Sequence, residues 1–447
     1  MNQKRIIKKS IIYLKKLKKE KLDITLSPFC YLDSWSNSLG NIKLRFINKE
    51  KIKFAEFFIF FKEIIKIGYN HNLRILEDNK NLNQLNKNVI VSWCSKNSFD
   101  KYGKYYDNYL NISEKKNYLW FLVSTDNFIP KNLQNNISII YKPLGNFNFL
   151  YLIKILSKNL ILHGFLTKKF FHYCNYTVNF AENIGNIFQR KYKNTKINLL
   201  ILFENQPLQN QIINITKKIN KNNKTIGYLH CLPWPLQTDL IYKNINLDKL
   251  YVTSRTQKEV LNNNFLWPKI KVKLISSLRY LQKNKLKKKN YIFLPFDDRN
   301  IKSYLEILLN FLKKNPKYLR KKFIVKIHPI NKNNIKFITY KKIFSKKIKL
   351  LYKYNKKNSF NKKYSILIGN PGGVAAENLE NKNPIIHITK KPLFDLFDIR
   401  MWRDIRIQNI NPYIYEYICT KKNVFTKYGN NKNNNLRIIN SIFNAKK

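Results

Sequence analysis

Short, largely apolar runs recur along the chain: Val89-Ile90-Val91, Tyr118 to Val123, Ile137 to Tyr141, Ile197 to Phe203, Thr225 to Leu229 and Leu250 to Thr253. Runs this short and this continuous fit strands buried on both faces, as in a parallel sheet. Segments with helical spacing, such as Leu208 to Ile219 and Thr256 to Asn264, lie between them. A lysine-rich stretch with no apolar face follows at 281–289, and it reads as a linker. The pattern then restarts. Tyr291 to Pro295, Phe323 to Ile327, Tyr364 to Ile368 and Pro384 to Ile388 read as strands, with helices at Ser303 to Leu312 and Val374 to Leu379. Strand–helix alternation of this kind predicts an α/β fold: two Rossmann-like, doubly wound domains (1–284 and 285–447) facing a cleft. The Asn/Lys clusters at 331–336 and 430–435 read as loops.

Composition changes that picture little. At 447 residues and 44% hydrophobic, the chain has material for two cores and does not read as disordered. The formal charge of +59 is the loudest feature, yet only twelve of the 85 basic residues are arginine. Lysine is spread over every segment and is inflated together with asparagine and isoleucine, as an AT-rich coding sequence would produce. A nucleic-acid binder concentrates its cations into a stripe or a recognisable module, and neither is present, so nucleic acid is not an expected partner. The charge does predict attraction to phosphorylated substrates and to anionic lipid head groups. Five scattered cysteines (Cys30, Cys94, Cys174, Cys231, Cys419) lack metal-ligand or disulfide spacing and suggest free thiols in a reducing compartment. The basic start lacks an apolar core and a cleavage site, so a cytoplasmic location is expected. The most apolar stretches, Phe54 to Tyr69 and Phe147 to Leu166, are interrupted by charge. They read as buried helices, with a helix lying on a membrane surface as the alternative.

Four constellations could carry chemistry. His328 ends the strand-like run Phe323 to Ile327, just before Pro329, with Lys326 two positions earlier; imidazole there can bind or protonate a phosphate. Ser365 to Glu377 reads as strand, glycine turn and helix, so amides near Asn370, Gly372 and Gly373 could cradle an anion, with Glu377 placed to accept from a ribose hydroxyl. An ordinary strand–helix turn capped by Asn370 fits the same residues. His230 ends another buried run and is followed by a stiff Pro/Trp loop; it reads equally as a general base and as a satisfied core histidine. Glu204 leaves the neighbouring strand and either orients His230, serves as the base itself, or caps the helix that begins near Pro207. Asp297 and Asp298 form a further carboxylate pair, but nothing completes a ligand set, so no metal is assigned.

The KIHP strand, the glycine turn and NPIIHI resemble the C-terminal half of bacterial GT-B transferases of the cell envelope, among them capsule Kdo transferases, sialyl- and polysialyltransferases and teichoic-acid glycerophosphotransferases. The stretch from FENQPLQ through GYLHCLPWP to LYVTS is similar to surface carbohydrate biosynthesis proteins. The resemblance implies a metal-independent glycosyltransferase without a cofactor, moving a sugar from a nucleotide-sugar donor onto a cell-surface polysaccharide or lipid-linked glycan by direct displacement. It implies donor-phosphate contact at His328 and base catalysis at His230. The hydroxyl-bearing helix start of those families reads Asn370-Pro371-Gly372-Gly373 here, so backbone amides take the place of hydroxyls. Peripheral contact with the inner face of the membrane would fit the basic surface. Alternatives are a nucleic-acid-binding basic protein, a non-catalytic relative, and an epimerase or glycerophosphotransferase on the same fold.

Overall fold

The computed structural model describes residues 3–26, 61–62, 64–77, 86–114, 117–143, 147–164, 168–231, 238–281, 290–295, 301–316, 323–327, 331, 334–354, 367–369, 373–388, 400–411 and 413–445. In chain order the first unit contains α1 (Gln3–Lys19), β1 (Arg74–Glu77), β2 (Asn86–Cys94), β3 (Tyr106–Asp107), β4 (Ile112–Ser113), β5 (Leu119–Ser124) and β6 (Ile137–Tyr141). It continues with α2 (Phe149–His163), α3 (Lys168–Tyr173), α4 (Tyr176–Tyr192), β7 (Lys196–Leu202), α5 (Pro207–Ile219), β8 (Lys224–Tyr228), β9 (Lys249–Val252), α6 (Arg255–Asn264) and β10 (Val272–Leu274). The second unit contains β11 (Asn290–Phe293), α7 (Ile301–Lys314), β12 (Phe323–Lys326), α8 (Ile335–Tyr354), β13 (Leu367–Gly369), α9 (Gly373–Glu380), β14 (Ile385–Ile388), β15 (Ile405–Asn411) and β16 (Ile414–Cys419), and the described chain ends in α10 (Lys432–Asn444). The expected boundary at 284/285 falls outside the described residues.

The protein is α/β. The larger sheet has the order β1-β6-β5-β2-β7-β8-β9-β10 and is parallel except for β1 at its edge. The chain winds outward from β2 to β6, then returns to β7 and winds the other way to β10. The sheet is therefore doubly wound, with its switch point between β2 and β7. The smaller sheet, β12-β11-β13-β14-β16-β15, is parallel over its first four strands and closes with an antiparallel hairpin. Its switch point lies between β11 and β13.

Pleating explains the continuous apolar runs. Val89, Val91, Phe121, Val123, Leu199 and Ile201 point to one face of the large sheet, against Leu14 and Leu17 of α1, Ile184 and Phe188 of α4 and Ile212 of α5. Ile90, Trp120, Leu122, Leu200 and Leu202 point to the other face. There they meet Ile439, Ile442 and Phe443 of α10, so the end of the chain covers the first sheet, not the second. Each such side chain contributes about 1.5–3 kcal/mol by leaving water.

The returning segment ties the two units together. Lys427 N–H donates to Thr253 O (2.6 Å), Ser277 N–H to Lys427 O (2.8 Å) and Gly429 N–H to Tyr280 O (2.9 Å). Ser254 Oγ donates to Val424 O (2.7 Å). The buried Glu380 carboxylate, at the end of α9, accepts from the amides of Asn423, Phe425 and Thr426. One apolar core runs through both units, with Ala375, Leu379 and Trp402 in contact with the first unit's cluster.

Two expectations are corrected. The clusters at 331–336 and 430–435 are not simply loops: α8 starts at Ile335 and α10 at Lys432, where Asn431 Oδ1 accepts from Asn434 N–H as an N-cap. The helix in Phe147 to Leu166 exists as α2, but it is not buried. Only Leu152 and Asn159 are enclosed, while Leu150 is 77% and Ile161 83% exposed. Most of the other apolar stretch, Phe54 to Tyr69, lies outside the described residues.

Candidate functional site

Ligands of doubly wound sheets bind beyond the carboxyl ends of the strands near the switch point. Glu204 and His230 occupy that place. The β7 ladder extends by one bond, Phe203 N–H to Tyr228 O (2.8 Å), and β8 by Leu229 N–H to Tyr251 O (2.9 Å). The two side chains emerge one residue beyond each of those bonds, with His230 Nε2 3.4 Å from Glu204 Oε1.

The local sequence decides why Glu204 is free to face the histidine. The N-cap of α5 is Gln206, not Glu204, and Pro207 occupies the first helical position. The Gln209 side chain accepts from both Gln206 N–H (3.1 Å) and Glu204 N–H (2.7 Å), which fixes the turn. Asn205 takes the left-handed conformation (φ 61°) that asparagine tolerates, and its amide group donates to Asp239 O and Ile241 O. Glu204 is left about a third exposed and is not spent on the cap.

His230 is buried. Its Nδ1 has no hydrogen-bond partner among the described residues. Burial pushes the imidazole down to about 4; the Glu204 carboxylate acts in the opposite direction and the Arg279 guanidinium in the same one. At neutral pH His230 is therefore an uncharged base, and its contact with Glu204 is not an ion pair. Nε2 faces the carboxylate, so the favoured tautomer carries its proton there and leaves an enclosed lone pair on Nδ1.

Around this pair stand residues that sequence reasoning missed. The Tyr109 ring packs edge-on against His230, with centroids 4.8 Å apart. The Arg279 guanidinium lies 5.0 Å from the Tyr109 ring and 5.3 Å from the Tyr280 ring. Tyr109 is held from below by the fully buried Asp107, which accepts from Tyr109 N–H (2.8 Å), Leu110 N–H (2.7 Å), Tyr105 Oη (2.7 Å) and Ser92 Oγ. Burial raises the Asp107 carboxyl, and those four donors oppose the rise. No motif marks these residues. Tyr109 and Arg279 lie far apart in the chain and meet only through the sheet.

Of the second group, His328, Asn370 and Gly372 lie outside the described residues. Lys326 ends β12 and is exposed, with its Nζ 4.5 Å from the Tyr291 ring. Gly373 opens α9 and Glu377 follows one turn later, half-buried. The Glu377 charge is near enough to raise the phenols of Tyr280 and Tyr428, after burial the main charge effect on Tyr428. Tyr280, which flanks Arg279, thus feels the charge of Glu377 on α9. His387 was passed over in the sequence. It is buried on β14 beside Gly369, and burial alone pushes it down to about 3.

No family model matches the chain, and no curated protein matches it. Among solved structures, trehalose-6-phosphate synthase OtsA aligns with TM-score 0.31 and 12% identity, over 66% of this chain and 81% of its own. The α/β classification rests on the strand order itself. No described helix is long and apolar enough to cross a membrane.

Proposed function

We propose that the protein is a glycosyltransferase of the GT-B type, transferring a sugar from a nucleotide-sugar donor to a hydroxyl of a surface polysaccharide or lipid-linked glycan. The observation that carries the reading is the neutral, buried His230 backed by Glu204 at the carboxyl ends of adjacent strands beside the switch point. The coupled His230–Glu204 pair acts as the base: the acceptor hydroxyl gives its proton up through Glu204, the member about a third exposed, with His230 Nε2 against that carboxylate. The hydroxyl oxygen attacks the anomeric carbon and the bond to the donor phosphate breaks. The leaving phosphate's charge is taken up by the start of α9 at Gly373, by Lys326 and by His328. No cofactor beyond the donor enters this scheme.

The acceptor side of the reading places the protein on the inner face of the cytoplasmic membrane. Its support is α2, whose exposed Leu150, Ile153 and Ile161 are interleaved with exposed Lys154 and Lys158 and continue into exposed Ile65 and Tyr69. Apolar side chains ringed by lysine fit an anionic bilayer surface.

The test is turnover of labelled nucleotide-sugars with glycan acceptors, comparing the protein with His230→Asn. Loss of the base lowers turnover about 100- to 10,000-fold while nucleotide affinity is unchanged. Conversion of the donor without any acceptor would move the assignment to an epimerase, and turnover unaffected by His230→Asn would overturn the role given to this pair.

A further inference from the structure

Arg279 is held more firmly than a surface cation. The Leu278–Arg279 backbone is gripped from β8, from the turn between β3 and β4, and from α10, which packs on the first sheet. Leu278 N–H donates to Tyr228 Oη (2.9 Å), and the Asn111 amide donates to the carbonyls of Leu278 (2.6 Å) and Arg279 (2.9 Å). The Asn435 amide of α10 donates to Leu278 O as well (2.9 Å). The side chain is half-buried and flanked by the rings of Tyr109 and Tyr280. Among the described residues no carboxylate lies within ion-pair distance of its guanidinium, although Glu204 is close enough to act on Tyr109. Stacked guanidinium groups keep their N–H edges for a planar, fork-like acceptor. A partly enclosed cation whose donors have no partner among the described residues, beside the catalytic pair, is the complement of an oxyanion that is not part of the protein.

We infer that Arg279 binds an anionic group of the acceptor, the carboxylate of an acidic sugar or a sugar phosphate, and so selects acidic glycans at the His230 site. The inference rests on the transferase reading for the word acceptor. The anchors of Arg279 come from the unit that carries His230 and Glu204 and from α10, which covers that unit's sheet, and the donor phosphate is assigned to the other unit. Binding also acts on the catalytic pair: burial is the main cause that holds His230 neutral and the Arg279 charge adds to it, so an anion seated on the guanidinium offsets that smaller part.

Ligand-observed NMR titrations of glucuronate, glucose 6-phosphate and glucose, at about physiological salt to suppress diffuse attraction to the +59 surface, test the inference. Wild type binds at least one of the two acids about 10- to 100-fold more tightly than glucose, and Arg279→Gln abolishes that preference. Arg279→Lys retains part of it, since it keeps the charge but loses the fork. Whichever acid is preferred names the source of the anion. Equal binding of acids by wild type and Arg279→Gln means general surface charge and overturns the inference, as does equal binding of glucose and both acids by wild type. Nucleotide binding, measured in parallel on the same samples, separates the two readings. Binding of nucleotide without acid discrimination sinks the acceptor inference alone. Arg279-dependent acid binding with no nucleotide affinity sinks the transferase reading and leaves an anion site. Arg279→Lys, which keeps a cation beside Tyr109 and Tyr280, serves as the folded control.

Discussion

Lowering the pH from neutrality to about 5 discriminates between a buried neutral His230 and an ordinary surface histidine. In the unfolded chain His230 has its usual value near 6.5, whereas burial in the native state holds it at about 4. The folded protein therefore binds fewer protons than the unfolded one across that interval. His230's contribution to stability is fully present above about 6.5, erodes as the pH falls towards 4, and is lost below it. At about pH 5 the unfolded imidazole is nearly all charged and the folded one about a tenth charged, a cost of about 2 kcal/mol. His387, held at about 3, costs about 2 kcal/mol more. Against a total stability of about 5–15 kcal/mol, the pair is a large fraction. Buried carboxyls raised by desolvation, such as Asp107, Glu182 and Glu380, act the other way, being favoured in the native state as they protonate. The quantity to measure is thus the difference between wild type and His230→Gln in urea unfolding, at about pH 7 and about pH 5. Wild type loses about 2 kcal/mol more than the variant over that step. Imidazole NMR gives the direct reading, with the His230 resonances unprotonated at about pH 5. If they titrate near 6.5, or if the variant keeps the full pH dependence of wild type, the buried base does not exist.

Two other outcomes follow from the same neighbourhood. Asp107→Ala leaves the Tyr109 and Leu110 amides and two hydroxyls without their acceptor, so chemical unfolding should show a loss of about 3 kcal/mol or more, with Asp107→Asn milder; equal stability of all three proteins would contradict the hydrogen-bond assignment. On the opposite question of location, vesicles containing phosphatidylglycerol should co-sediment the protein, and Leu150→Glu with Ile161→Glu should weaken that binding about tenfold or more, whereas unchanged binding would leave α2 without a membrane role.

The sheets were legible in the sequence because parallel strands covered on both faces must be apolar at every position. Ile197 to Phe203 and Thr225 to Leu229 each became a strand within a residue or two of the expected ends. The helices covering them were harder to see. In α8 the buried Phe337, Phe344 and Ile348 are separated by lysines, and in α10 Asn433 to Asn435 conceal a helix start that asparagine itself caps. A composition so rich in Lys and Asn dilutes the 3.6-residue stripe without removing it, because a helix needs only one apolar face. The doubly wound order was legible, but the return of the chain was not: nothing in residues 432–444 says that they pack on the first sheet.

The site divides along the same line. His230 and Glu204 could be found because a histidine or carboxylate directly after a buried strand must sit at its carboxyl end, and in this topology that is where ligands bind. What they do there depends on a neighbour that is local in neither case. Gln206, by taking the helix cap, releases Glu204, and this much could be argued from the Gln206-Pro207 order. Arg279 could not have been ranked above the other basic residues by any local rule. Its distinction is entirely tertiary: Asn111, Tyr228 and Asn435, drawn from three separate stretches, fix the backbone under it. Tyr109 and Tyr280 then flank its charge. In a chain whose charge comes almost wholly from dispersed lysine, a cation that the fold partly encloses is the one whose field is least screened, and beside His230, where burial is the main cause of the lowered value, Arg279 adds its charge to that effect.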